Sequence, residues 1–183
     1  MRDVQAARGA TLTTRRAVRL IALGIALLGV GIDQLVKLAS VTFLEEGKPV
    51  AVIGSLLKLN LIRNPGAAFG MGAEMTIVFT CFAIVALIGC VGFALPRIRA
   101  SWHAVALGLL MAGITGNLVD RIIQPPAPLH GHVVDMFQLP NFAIFNVADM
   151  CITFAAVLII ISSFRREPEP VAVEGAVVEA GGR

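Results

Sequence analysis

The sequence predicts an all-α membrane protein, with four transmembrane helices, a small outer-face β-sheet and both termini cytoplasmic. Three observations predict it. Of the 183 residues, 57% are hydrophobic and only 15% are charged, and mean hydropathy is +0.84, too apolar for an ordinary soluble domain. Four stretches are long enough to test against the ~20 residues that cross a bilayer. Arginines collect at alternate connections between those stretches. Hydrocarbon offers backbone groups no water, so each stretch is expected to be an α-helix.

The first span covers about residues 20–36 and is free of charge until Asp33. It has a basic flank, but Val30-Gly31-Ile32-Asp33-Gln34 offers no small-x-small cleavage site, so it reads as a retained helix. Asp33 and Lys37 stand at i and i+4, the spacing of a helical ion pair. That pair is either a snorkelling helix end or part of a site's rim. Leu-Lys-Leu-Asn-Leu at residues 57–61 alternates with period two and reads as a strand, with Val50 to Ile53 available to pair with it. Asn64-Pro65-Gly66-Ala67-Ala68-Phe69 is turn chemistry followed by small residues.

The second span, residues 75–95, carries no charge, and the third, about 104–123, is interrupted only by Asp120-Arg121. Gly113 and Gly116 on the third span are expected to let helices approach closely. The prolines at 125, 126 and 128 end that helix. The fourth span, about 142–164, carries the single charge Asp149. Residues 1–166 therefore form one transmembrane domain, and 167–183, rich in Pro, Glu, Val and Gly, read as a disordered cytoplasmic tail. Cys81, Cys90 and Cys151 all fall within predicted spans, an odd number that argues against a disulfide framework and reads as buried free thiols.

Arg2, Arg8, Arg15, Arg16 and Arg19 precede the first span. Arg97 and Arg99 fill the second connection, and Arg165-Arg166 follow the fourth span. The positive-inside rule makes these regions cytoplasmic. The net charge of +3 sits at helix ends and calls for no nucleic-acid partner. The loops over about residues 37–74 and 124–141 are then outside, the second holding Asp135, and Asp33, Asn117, Asp120, Arg121, Asp135, Asn146 and Asp149 converge on the outer face. A proton path would scatter such residues through the full depth.

Asp135 and Asp149 each lie in greasy sequence, where an ionisable group is costly and marks a functional site by default. Burial disfavours the charged form, and a second carboxylate nearby disfavours it further, with one shared proton as the outcome. Such a pair activates water as aspartic proteases do: one carboxylate takes a proton while its protonated partner polarises a carbonyl. Asn117 and Asp120, like Asn146 and Asp149, are three apart and share a helix face. The two asparagines serve either as interhelical polar glue that orients the carboxylates or as direct substrate contacts. Asp120 is expected to hold Arg121, Asn64 or a loop amide, and Arg121 to pair with another carboxylate or reach lipid phosphates. His130 and His132 are weaker bases for this chemistry. No serine has a convincing base and orienting group, and no metal-ligand spacing is present.

With these residues assembled, the chain resembles bacterial lipoprotein signal peptidase (signal peptidase II) over roughly residues 20–165. The resemblance rests on Asp33-Gln34-x-x-Lys37, Asn64-x-Gly66-x-Ala68-Phe69, Gly116-Asn117-x-x-Asp120-Arg121, Val133-Val134-Asp135 and Phe145-Asn146-x-Ala148-Asp149, in that order. It implies an aspartic endopeptidase of the cytoplasmic (inner) membrane that cleaves prolipoproteins just before a diacylglyceryl-modified cysteine. It further implies catalytic roles for Asp135 and Asp149, support from Asn117, Asp120, Arg121 and Asn146, and a substrate-side contact at Asn64. Asp33 and Lys37 match a first-helix motif. The resemblance implies no metal or organic cofactor, membrane lipid around the site, and inhibition by globomycin-type cyclic peptides. Met136 and Ala112-Gly113 depart from the family's usual phenylalanine and Gly-Gly pair. Two other classes stay open: a proton-coupled transporter subunit using the carboxylates as a relay, and a non-catalytic lipopeptide-binding membrane protein.

Overall fold

The computed structural model describes residues 2–66 and 75–164, with side chains from Arg15 onward. Helix α1 runs Arg2–Phe43, strands β1 and β2 cover Val50–Ile53 and Leu57–Asn64, and α2 covers Thr76–Gly89. Beyond Gly89 the α2 chain keeps turning, wider and then tighter, through Arg97. Helix α3 spans Ser101–Ile123, strand β3 Val133–Gln138 and helix α4 Val147–Ser163.

Among the described residues, three helices are long and apolar enough to cross a membrane: Arg15–Phe43, Thr76–Arg97 and Ser101–Ile123. In the first two most residues are left unburied, while about half of the third is buried. Leu27 is 77% exposed and Phe82 73%, which suits lipid and would be ruinous in water. The fourth apolar stretch is helical over only 17 residues, about 26 Å at 1.5 Å per residue. Residues 142–146, expected in that helix, form an irregular approach instead. There Phe145 bridges Phe137 of β3, and the Asn146 side chain starts the helix as its cap.

Helix α3 is the hub, packed on both α1 and α4. Small residues make this possible. A methyl group at Gly108 would lie 2.7 Å from the Ala22 carbonyl, one at Gly116 2.6 Å from Asp33 Oδ2, and one at Gly113 would strike the Ala148 carbonyl. The close approach expected of Gly113 and Gly116 is therefore present. One apolar cluster joins Val18, Ala22, Cys90, Ile98, Ala104, Leu107 and Met111 at one end of the bundle. At that end Arg19 donates to the Pro96 carbonyl at 2.7 Å. A second cluster, Leu61, Val134 and Met136 with Val36, Leu44 and Phe137, seats the sheet on α1 at the other. Met136, the departure from the family's phenylalanine, is fully buried there.

The sheet has three antiparallel strands in the order β1-β2-β3. The β1–β2 hairpin matches the sequence expectation, with Gly54 taking a positive φ of 50° at its turn. Strand β3 does not: Asp135 was expected in an outer loop, yet it pairs opposite Ile62. The alternation that marks a one-sided strand is missing, because all four residues from Val133 to Met136 are buried. Cys81 also differs from expectation, since it is free but exposed, while Cys90 and Cys151 are buried. Ala67, Ala68, Phe69, the arginines at 2, 8, 165 and 166, and the 167–183 tail lie outside the described side chains.

Candidate active site

Between the two apolar clusters lies a polar layer built by α1, α3, β3 and α4. Its deepest part is an ion cluster. Lys37 Nζ sits 2.9 Å from Asp33 and 2.8 Å from Asp120, with all three side chains at most 3% exposed. Each carboxylate has further donors. The Ala148 amide reaches Asp33 at 2.8 Å, and the Val134 amide reaches Asp120 at 3.1 Å. Gln34 donates to Asp33, Asp120 and the Gly116 carbonyl. A buried ion pair survives only when such hydrogen bonds complete it. Asp33 and Lys37 are thus a buried cross-brace rather than a snorkelling helix end. Asp120 holds Lys37, Gln34 and a strand amide, not Arg121 or Asn64.

Asn146 joins Asp135 to Asp149. Its side-chain amide donates to Asp135 Oδ1 at 2.6 Å. Its Oδ1 accepts the Asp149 amide at 2.9 Å, and its own backbone N–H donates to Asp149 Oδ2 at 3.2 Å. Asn146 and Asp149 therefore form a capping box at the start of α4. Asn117, one turn before Asp120 on α3, donates to Asp149 Oδ1 at 2.9 Å, and its Oδ1 accepts from Lys37 at 3.1 Å. Asn64, at the end of β2, donates to Asp135 Oδ2 at 3.0 Å while accepting the Gly66 amide at 3.1 Å. Both asparagine amides of the helices thus orient carboxylates.

Asp135 is 2% exposed. Burial pushes its carboxyl up to about 7, and the Asp149 charge adds to that rise; hydrogen bonds from Asn64 and Asn146 and the Lys37 charge oppose it. Arg121, also buried, donates Nη2 to the Gly66 carbonyl at 2.9 Å and lies over the Phe79 ring. Its Nη1 has no hydrogen-bond partner among the described residues. It neither forms a described ion pair nor reaches outward to lipid phosphates.

Asp135, Asp149, Asn64, Asn117 and Arg121 line one wall of a cavity of about 660 Å³. The rest of its lining is largely apolar, including Leu139, Phe142, Phe145, Met150, Ile152 and Phe154. Phe142 and Phe154 are more than half exposed, so the cavity opens onto the apolar flank of the bundle. His130 and His132 are not among its lining residues. Among the described residues no group of three or more His, Cys, Asp or Glu side chains is placed to hold a metal. Sequence reasoning left Gln34 without a role, although it follows Asp33 directly. It also left Thr153 and the two exposed phenylalanines out of the site, since helical position alone does not tell lipid from cavity.

The fold and this layer define a helical membrane protein with two hydrogen-bonded aspartates facing an apolar cavity. Residues 25–165 match the model of the signal peptidase (SPase) II family, and the chain belongs to that family. Lipoprotein signal peptidase of Rhodococcus jostii (strain RHA1) is 42% identical over 70% of this chain and 65% of its own length. The same enzyme of Leifsonia xyli subsp. xyli (strain CTCB07) is 42% identical over 73% of this chain and 62% of its own length. The chain thus spans just under two thirds of these relatives. A solved structure described as a bacterial membrane enzyme superposes with a TM-score of 0.71 at 32% identity, over 81% of this chain and 93% of the other.

Proposed function

We propose that this protein is a membrane aspartic endopeptidase that removes the signal peptide from diacylglyceryl-modified prolipoproteins, cutting before the lipidated cysteine. The observation that carries the reading is the shared residue Asn146, which holds Asp135 by its side chain and Asp149 by its cap. Two carboxylates tied to one residue at the wall of one cavity are placed to share a proton and a water.

In the proposed reaction the ionised aspartate takes a proton from water as its oxygen attacks the scissile carbonyl carbon. The protonated aspartate donates to the carbonyl oxygen, giving a tetrahedral gem-diol. Proton return to the peptide nitrogen lets the C–N bond break, and the amino terminus of the lipidated cysteine departs. Asn64, Asn117 and Asn146 hold the carboxylates, and Asp33, Lys37 and Asp120 brace the helices that carry them. Arg121 Nη1 has no partner among the described residues, and a substrate carbonyl would supply one. Acyl chains leave through the gap beside Phe142 and Phe154.

The wider reading places α4 as a fourth span, both termini in the cytoplasm, and the site at the outer face of the inner membrane. Basic residues at 15, 16, 19, 97 and 99 support that sidedness. Membrane lipid surrounds the cavity mouth, and globomycin-type cyclic peptides would occupy it. The deciding experiment incubates purified protein in detergent with a diacylglyceryl-modified precursor and its unmodified twin. Cleavage of the first alone is expected. Cleavage of neither, or of both equally, refutes the reading.

A further inference from the structure

Asp135 and Asp149 are not equivalent in this fold. Asp149 stands in the first turn of α4, where the helix dipole favours a negative charge. Asp135 stands mid-strand on β3, where the dipoles of neighbouring strands largely cancel. The asparagine between Asp149 and the ion cluster sharpens the difference.

Lysine has donors and no acceptor, so the Asn117 atom that faces Lys37 Nζ at 3.1 Å must be the oxygen. The Asn146 amide nitrogen, 3.0 Å away, makes the same demand. Asn146 cannot turn to relieve it, because its own oxygen is held by the Asp149 amide. A flipped Asn117 would therefore set its NH₂ against two donors in a buried place, a costly arrangement. With the oxygen pinned, its nitrogen must face Asp149 Oδ1, at 2.9 Å. The other Asp149 oxygen accepts the Asn146 backbone N–H.

We propose that Lys37 is a positioning residue that, through Asn117, holds Asp149 as the ionised, water-activating member of the pair and leaves the shared proton on Asp135. This rests on the proposed peptidase reading and deepens it by giving each aspartate one role. Lys37 itself is 3% exposed and is not among the residues lining the cavity. Its ammonium is locked between Asp33 and Asp120 and acts through the orientation of one amide. Among the described residues, the charged groups bearing on the two aspartates are Asp33 and Lys37 from α1 and Arg121 from α3; Asp120 of α3 faces Arg121.

The test measures kcat and KM against pH for lipidated-precursor cleavage by the purified full chain. Lys37→Met removes the charge and the donor at nearly constant length. Asp33→Asn with Lys37→Met removes both without changing the net charge of the cluster, and so guards against a folding failure. In Lys37→Met the acid limb of the kcat profile is expected to rise by about one pH unit, the scale of losing a nearby cation from a carboxylate, and in the double variant by less, because the opposing Asp33 charge leaves with it. At pH values on that limb the kcat of Lys37→Met should fall about tenfold, with KM changed less than about twofold. An unmoved acid limb in a folded variant, or a loss confined to KM, overturns the proposal. Failure of both variants to accumulate also overturns it, since it assigns Lys37 to folding alone. Activity surviving in Asp135→Asn or Asp149→Asn sinks the peptidase reading instead, so the two failures are distinguishable.

Discussion

Replacing Asp135 with asparagine should make the protein more stable at alkaline pH and less stable at acid pH. The folded chain holds the Asp135 carboxyl at about 7 against an ordinary value of 3.8. The folded state thus keeps a proton that the unfolded chain releases, and stability falls as pH rises through that window. A rise from 3.8 to about 7 corresponds to about 4 kcal/mol, fully felt above pH 7 and absent below about pH 4. Asparagine never charges, so the variant escapes this cost. It brings another, because Asp135 accepts from Asn146 on one oxygen and from Asn64 on the other. An amide has only one oxygen to offer. Asn64 must turn and release the Gly66 amide, at about 1–3 kcal/mol for the broken network. The variant should therefore be about 1–3 kcal/mol less stable than the parent near pH 4 and about 1–3 kcal/mol more stable near pH 8. Thermal unfolding of both proteins in the same detergent, followed across that range, should show the two curves crossing. Curves that run parallel would refute the burial argument, whatever happens to activity.

Asp149→Asn and Asp135→Asn should each lower processing of a lipidated precursor by about a thousandfold or more while the protein still accumulates in membranes, as judged by quantitative blotting. The wild-type rate should decline above about pH 7, because the Asp135 proton with its raised value near 7 is lost there; a rate still climbing at pH 8.5 would contradict this. Gly113→Val should cost about 1–3 kcal/mol or more, since even a Cβ would strike the Ala148 carbonyl and Ile152. The loss should appear as a lower melting temperature and lower yield. Asp120→Ala should cost about 3–5 kcal/mol by stripping Lys37, Gln34 and the Val134 amide of a shared acceptor, and low recovery of folded protein would register it.

Local chemistry made much of this molecule legible in the chain itself. Long uncharged runs dictate helices where backbone groups lack water. The alternation at residues 57–61 dictates a strand, and an i, i+4 pair dictates that Asp33 and Lys37 meet. The greasy surroundings of Asp135 and Asp149 singled them out, because isolated charge in such sequence is expensive wherever it lands. Strand β3 could not be read, since residues buried on both faces lose the period of two that identifies a half-buried strand. The shortened start of α4 was equally hidden: residues 142–145 are as apolar as a helix interior, and the helix begins only after the Asn146 cap.

Residue types and spacing determined which side chains were worth a polar partner, since that cost is set by each group and its immediate neighbours. Which partner each one found was decided by tertiary packing. Asp120 met Lys37, not Arg121, because α1 lies against α3 at Gly116. Asp135 met Asn146 because β3 and the capped end of α4 converge on one cavity wall. Those meetings depend on close approach between segments far apart in the chain, and no local pattern records that distance.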